Sequence, residues 1–535
     1  MAGQRNGADT DGNNDCSLRL SAHFPCDLFP ADLPLDGRSR RLIGLEAFTF
    51  LDGEGLRPSN DRIRYPADAA AAQGAGATRD AVIQDRQLSP ELGSLEAQRE
   101  PERTVHEDAE GCFARGLARA ESGDHQGAVV EFSAALACDP RNGQYYLERA
   151  YSYRQLGYTY LAIDDFEQAG IHGAGWAVAH NGKGMVRREK GDLTGALCDF
   201  DAAIRHDASF AAAYSNRGLC HLDRHDYLRA VTDFTRSIDL AGEQVVTLFH
   251  RAAALSRVRR HEEAESDLTR AAALAPEEAT IFNRRGVARE AQGKLDDALA
   301  DYDRSIVLDP TFAPGFANRA RLRQRQADYH GAIEDYTREL EFEPGSSQAH
   351  GRRGQCYSRL GEIRLAVLDL NAALAGHDGK APLYIERAQC FGALKNFSKA
   401  VADCDQALRV SPGCVSALLE RARWRERLRD IPGAQADLDR AVELDDTHPR
   451  ASHLRGRFHL RQGCLDAALR DFEKDIALNP TEPWAYMGRG DCLARLGEAL
   501  AAAEDYRRAA ALFADNGSDS ERASALQRMQ QVLVA

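Results

Sequence analysis

The sequence lacks most of the features that mark membrane, secreted or metal-bound proteins. No apolar run approaches the roughly 20 residues that a membrane-spanning helix needs, so no membrane association is expected. The opening stretch MAGQRNGADTDGNND has no hydrophobic region of a secretory signal. Ala2 breaks the myristoylation pattern, and the closing QVLVA matches no retention or prenylation signal. The twelve Cys are scattered with no CxxC pair, which argues against zinc ribbons and disulfide scaffolds and suits a reducing compartment. A cytoplasmic location is therefore expected. A formal net charge of −14 counts against a general nucleic-acid binder while leaving room for a local basic patch.

Chemistry is equally sparse. Gly175–Gly184 superficially resembles a phosphate-binding loop, but it has no Gly five residues before Gly182 and no Ser or Thr after Lys183. His261-Glu262-Glu263 has no second His at metal-binding spacing, and the Cys and His residues do not cluster. Asn396-Phe-Ser and Asn516-Gly-Ser match glycosylation sequons without a visible secretory route. No nucleophile stands beside a base. The expectation is a protein without catalytic activity, cofactor or metal. With 43% hydrophobic and 28% charged residues, the chain has the means to fold. A length of 535 would ordinarily suggest three or four domains.

A strict period replaces that count. Ala recurs every 34 residues from Ala128 to Ala502, twelve times without a slip. With Ala109 as position 1, these alanines occupy position 20 of twelve repeats spanning 109–516. Position 8 is Gly or Ala in all twelve, and position 24 is a large apolar residue in eleven, Cys404 being the exception. Small residues at 8 and 20 let two helix backbones approach closely. Position 24 lies one turn after 20 on the same face and fills the adjoining hole. Gly at position 15 in seven repeats suits a tight turn between helices. Pro at position 32 in six repeats ends the second helix. Pro314, Pro382, Pro449 and Pro483 fall in the first turn of a first helix, and Pro432 in that of a second.

This pattern of small residue, Ala, aromatic and Pro resembles the tetratricopeptide repeat family over about three quarters of the chain. The resemblance implies an all-α fold: antiparallel helix pairs stacked into a right-handed superhelical solenoid, with a concave face that binds peptides or partner proteins. Residues 517–535 are expected to cap it. Ser518-Asp-Ser-Glu521 reads as a capping box, and Leu526, Met529 and Leu533 would form one apolar stripe.

The repeats depart from the family pattern at two positions together. Position 7 is Arg in eleven repeats and Lys183 in the other, and position 23 is acidic in all twelve. The simplest account is a ladder of ion pairs, either within each repeat or between neighbours.

The resemblance also implies that positions 2, 5, 9, 12 and 13 face the groove. Phe113, Leu117, Tyr151, Met185 and Phe249 make the first half apolar. Arg321, Arg325, Arg359, Arg423, Arg427, Arg457, Arg461 and Arg495 make the second half basic. Arg321/Arg325, Arg423/Arg427 and Arg457/Arg461 each share a helix face, where like charges repel slightly and an external anion would relieve them. The expected partners are peptide or helix segments of other proteins, acidic ones included. The alternative is a solvated basic face with packed apolar residues. The family's chaperone-tail clamp is not matched, since no repeat has Lys at 5 or Asn at 9.

Residues 1–108 lack the period and are expected to be mostly disordered. Their distinctive feature is a tandem FPxDL, Phe24–Leu28 followed by Phe29–Leu33. It is either a recognition motif, for a partner or for the chain's own groove, or an ordinary turn-rich tail. The chain as a whole is expected to be a scaffold or adaptor for partner peptides. The alternative is a structural subunit of a larger assembly, self-associating through its solenoid.

Overall fold

The computed structural model describes residues 109–375, 380–448 and 450–534. The tandem FPxDL motif and Pro449 lie outside the described residues. The described residues form twenty-five α-helices and no strand. Twenty-four of these make twelve pairs, from Ala109–Glu121 with His125–Cys138 to Pro483–Leu496 with Ala499–Asp515. A single helix, Asp519–Val534, follows. Short turns make the partners antiparallel.

Each second helix packs on its own partner and on the first helix of the next repeat. First helices of most neighbouring repeats also touch one another, whereas second helices make no comparable contact among the described residues. First helices therefore line the inner side of the solenoid.

The packing follows from the three small and large positions. All twelve position-20 alanines are fully buried. A Cβ placed on Gly184 would stand 2.6 Å from the Phe200 ring, and one on Gly286 would stand 2.6 Å from Tyr302. The missing side chain at position 8 is thus the space that the position-24 ring occupies. In five repeats the second helix starts where Asp at position 16 accepts a hydrogen bond from the backbone three residues on, as Asp124 does from Gly127 and Asp328 from Gly331, at 2.9 and 3.0 Å. Their ends precede the position-32 prolines, as at Leu308 before Pro310.

The turn at position 15 is left-handed in every repeat. Seven repeats use Gly, but His225, Arg259, Ala327, Lys395 and Arg429 adopt φ of 58–63° at the same place. Register imposes the conformation even where the residue disfavours it.

The last helix covers the end of the stack. Ala525 is buried against Met487, Tyr506 and Phe513, with Leu526, Met529 and Val532 packed alongside. The expected stripe is corrected at its end: Leu533 is 53% exposed and Val532 takes its place, one helical turn after Met529. Ser518 is not part of a reciprocal capping box among the described residues. Instead Ser520 donates to Glu521 at 2.6 Å.

Candidate protein-binding groove

The charged ladder forms the frame on which the inner face is held. Eleven position-7 arginines reach the position-23 acid of their own repeat, from Arg115–Glu131 to Arg489–Asp505. Most do so with two parallel bonds; in Arg387–Asp403, Nε donates at 2.8 Å and Nη2 at 2.6 Å. The acids are 2–6% exposed. Hydrogen bonding to Asp403, foremost, pushes the Arg387 guanidinium above its usual range, against burial.

The same guanidinium also crosses to the preceding repeat. Its remaining Nη1 donates to position 25 of the previous second helix: Ser133, Asp201, Thr235, Asp303, Thr337, Asn371, Asp405 and Asp439 receive Arg149, Arg217, Arg251, Arg319, Arg353, Arg387, Arg421 and Arg455 at 2.6–3.1 Å. One side chain thus ties three helices, and the two forms of ladder expected as alternatives coexist. Position 25 carries an acceptor in repeats 1–11 and becomes Arg507 in repeat 12, where no following repeat needs one. In the sequence this is only a hydrophilic column of mixed residues, and the bond from Nη1 gives it a role. Lys183 breaks the ladder: among the described residues it makes only the cross-repeat bond, to Glu167 at 3.1 Å. Arg187, at 2.6 Å, holds Asp199 in its stead.

Along the inner seam, positions 12 and 13 of successive repeats meet. Arg188 pairs with Asp223 at 2.6 Å, and Arg154 pairs with Glu189. With the signs exchanged, Arg325 reaches Glu290 at 2.5 Å and Arg461 forks onto Glu426 at 2.7 Å. Arg321 joins Arg325 on Glu290 at 3.0 Å. The repulsion expected between these two arginines is therefore relieved by an internal carboxylate at position 12 of the preceding repeat. Arg495 donates to the Leu460 carbonyl at 3.0 Å. Arg423 lies 4.5 Å from the Trp424 ring centroid and 3.7 Å from Glu420. Arg359, Arg427 and Arg457 are exposed.

The apolar candidates sit on repeats 1–5, whereas the candidate arginines from Arg321 to Arg495 sit on repeats 7–12. Phe113 packs 4.8 Å from Tyr145, and Tyr151 meets the edge of Phe166 at 5.1 Å, centroid to centroid. Burial, foremost, pushes the Tyr151 phenol above its usual range. Leu117 and Met185 are half-buried, Met185 against Ala196, Phe200 and Cys220. Phe249 is only 5% exposed and belongs more to the core than to a surface.

Position 6 forms the floor of the seam. Asn216 donates to Asn181 at 3.0 Å and Asn318 to Asn283 at 2.9 Å, each across a repeat boundary. The row then reads His250, Arg284, Asn318, Arg352 and turns acidic at Glu386 and Glu420. Burial pushes the Glu386 carboxyl up, while the Arg359 charge and a Ser358 hydrogen bond pull it down. Among the described residues, no cluster of three or more His, Cys, Asp or Glu could hold a metal ion.

Comparison with known proteins agrees with this architecture. The family model described as tetratricopeptide repeat matches residues 181–244, 251–311, 419–483 and 455–518. A search among curated proteins returns no match. Among solved structures, a tetratricopeptide repeat protein from Parabacteroides merdae is 18% identical, covering 44% of this chain and 93% of its own, with a TM-score of 0.37. Yeast Tom70 is 15% identical, covering 80% of this chain and 96% of its own, also at 0.37. The Cut9–Hcn1 hetero-tetramer of APC/C is 13% identical over 79% of this chain and 95% of that one, again at 0.37. The family model and the unbroken helix-pair period, not these overlaps, carry the assignment: the chain belongs to the tetratricopeptide repeat family.

Proposed function

We propose that the chain is a non-catalytic interaction scaffold whose inner groove holds peptide or helix segments of partner proteins, acidic segments among them. The supporting observation is the seam itself. First helices meet along the inner side, tied to their neighbours by the ladder, and in repeats 7–12 positions 9 and 13 carry most of the basic side chains. A rigid frame lowers the ordering cost of binding an extended segment. Arg359, Arg427 and Arg457 remain exposed on it. No helix among the described residues is long and apolar enough to cross a membrane, and the proposed setting is the cytoplasm.

The test is selection of a displayed peptide library against the full chain, followed by affinity at low and high salt. Acid-rich peptides, weakened by salt and lost in Arg423→Glu, are expected. Selection of no peptide at all, or binding indifferent to both salt and R423E, would refute the reading.

A further inference from the structure

We infer that Arg284 and Arg257, on the first helices of repeats 6 and 5, form an oxyanion subsite in the groove for an acidic side chain of a bound segment. This rests on the groove reading above and gives it a location.

The argument starts from how the other inner-face arginines are neutralised. Arg321 and Arg325 share Glu290, Arg461 forks onto Glu426, and Arg495 has the Leu460 carbonyl. The basic half of the groove therefore supplies much of its own counter-charge. Arg284 and Arg257 differ. Among the described residues no hydrogen bond or ion pair reaches either one. Each lies over an aromatic ring instead: Arg284 Cζ is 5.9 Å from the Phe249 centroid, and Arg257 Cζ is 5.9 Å from that of Tyr227.

Arg284 is half-buried above a ring that is itself 5% exposed, and Arg257 is exposed. Burial, foremost, and then the Arg257 charge pull the Arg284 guanidinium below its usual range. It nevertheless stays protonated, because arginine does not lose its charge in proteins. A cation partly stripped of water, within the field of a second cation and lacking a carboxylate, is destabilised in the empty protein. An oxyanion between them removes that penalty. The planar fork of Arg284 suits two parallel bonds to a carboxylate or phosphate. Beside it the floor is fixed, since Asn283 accepts from Asn318 at 2.9 Å and is 3% exposed.

The test uses the full chain and two labelled probes, an oligoglutamate peptide and a phosphoserine peptide of neutral sequence, read by fluorescence anisotropy. Two variants are compared, Arg284→Met and the exposed Arg257→Met, whose loss cannot be ascribed to misfolding. Each is expected to weaken the tighter probe by about tenfold or more. Arg284→Met should also raise the urea midpoint of the empty protein, because an uncompensated charge has gone. Whichever probe binds tighter identifies the source as carboxylate or phosphate. Unchanged affinity in both variants, or a lowered midpoint in R284M, overturns the inference. Failure of the wild type to bind either probe also overturns it, while the groove reading then stands or falls on the library selection alone.

Discussion

Replacing Ala327 by Gly should stabilise the protein although it removes atoms and adds no contact. Ala327 holds φ of 63°, a conformation that costs an L-residue roughly 1–2 kcal/mol. Its turn is bonded like the glycine turns. The Ala327 amide donates to Gln324 at 3.1 Å and that of Asp328 to Arg323 at 2.9 Å; in repeat 6, Gly293 and Lys294 donate to Glu290 and Arg289, both at 3.0 Å. The only differences are thus relief of backbone strain and the freer unfolded chain of glycine, which offsets about 0.4–1 kcal/mol. A net gain of about 0.5–1 kcal/mol is expected, read as a higher urea midpoint. The reverse change, Gly293→Ala, supplies the control. Its φ is +79° and no atom lies within 4 Å of the added Cβ, so any loss is conformational alone. An A327G protein no more stable than wild type, or a G293A protein as stable as wild type, would refute the reasoning.

Further outcomes follow from single residues. Burial pushes the Glu339 carboxyl from 4.5 up to about 7; the Ser346 hydrogen bond pulls it down, Glu343 raises it and the Arg352 charge lowers it. A folded-state pKa raised in this way gives stability that is complete below the unfolded value and lost as pH rises through the folded one. Stability should fall by about 3 kcal/mol between those values. The fall should be absent from Glu339→Gln; parallel urea midpoints for the two proteins from pH 4.5 to 7 would contradict it. Lys183→Arg should restore the fork to Asp199 and add roughly 1 kcal/mol in a thermal melt. Ending the chain after Gly517 exposes Tyr506 and Phe513, and hydrogen exchange should rise first in Pro483–Leu496 and Ala499–Asp515 while the central repeats keep their protection.

Much of the fold was legible because the packing repeats. Ala at position 20, a small residue at 8 and a ring at 24 are side chains in van der Waals contact, so their spacing alone carried the helix pairs. The Arg and acid at 7 and 23 were likewise legible as a ladder, since a twelvefold joint departure from the family pattern implies a shared cause. What was not legible depends on a third dimension. The acceptors at position 25 vary between Ser, Thr, Asn, Asp and Glu, so they hide as a hydrophilic column until Nη1 is seen to reach them. The left-handed turns at His225, Arg259, Ala327, Lys395 and Arg429 bear no glycine signature. In the groove, counting arginines overstated the free positive charge, because Glu290 and Glu426 neutralise them from the preceding repeat. The swap of Leu533 for Val532 reflects the phase of the last helix, which cap letters alone do not set.

The central claim is that one guanidinium per repeat, paired with a buried acid, sets the frame of the groove. Arg387 and Asp403 test it most directly, because no second cation is bonded to Asp403 among the described residues and the two side chains are 18% and 7% exposed. Arg387→Met alone leaves a buried carboxylate uncompensated, and a loss of about 3–5 kcal/mol is expected. Asp403→Leu alone strands the cation with Asn371 as its remaining bonded partner. The double variant Arg387→Met/Asp403→Leu replaces the pair by apolar bulk and should be more stable than R387M, giving a coupling of several kcal/mol in a double-mutant cycle read by urea unfolding. Additive losses, with the double variant the least stable of the three, would contradict the account.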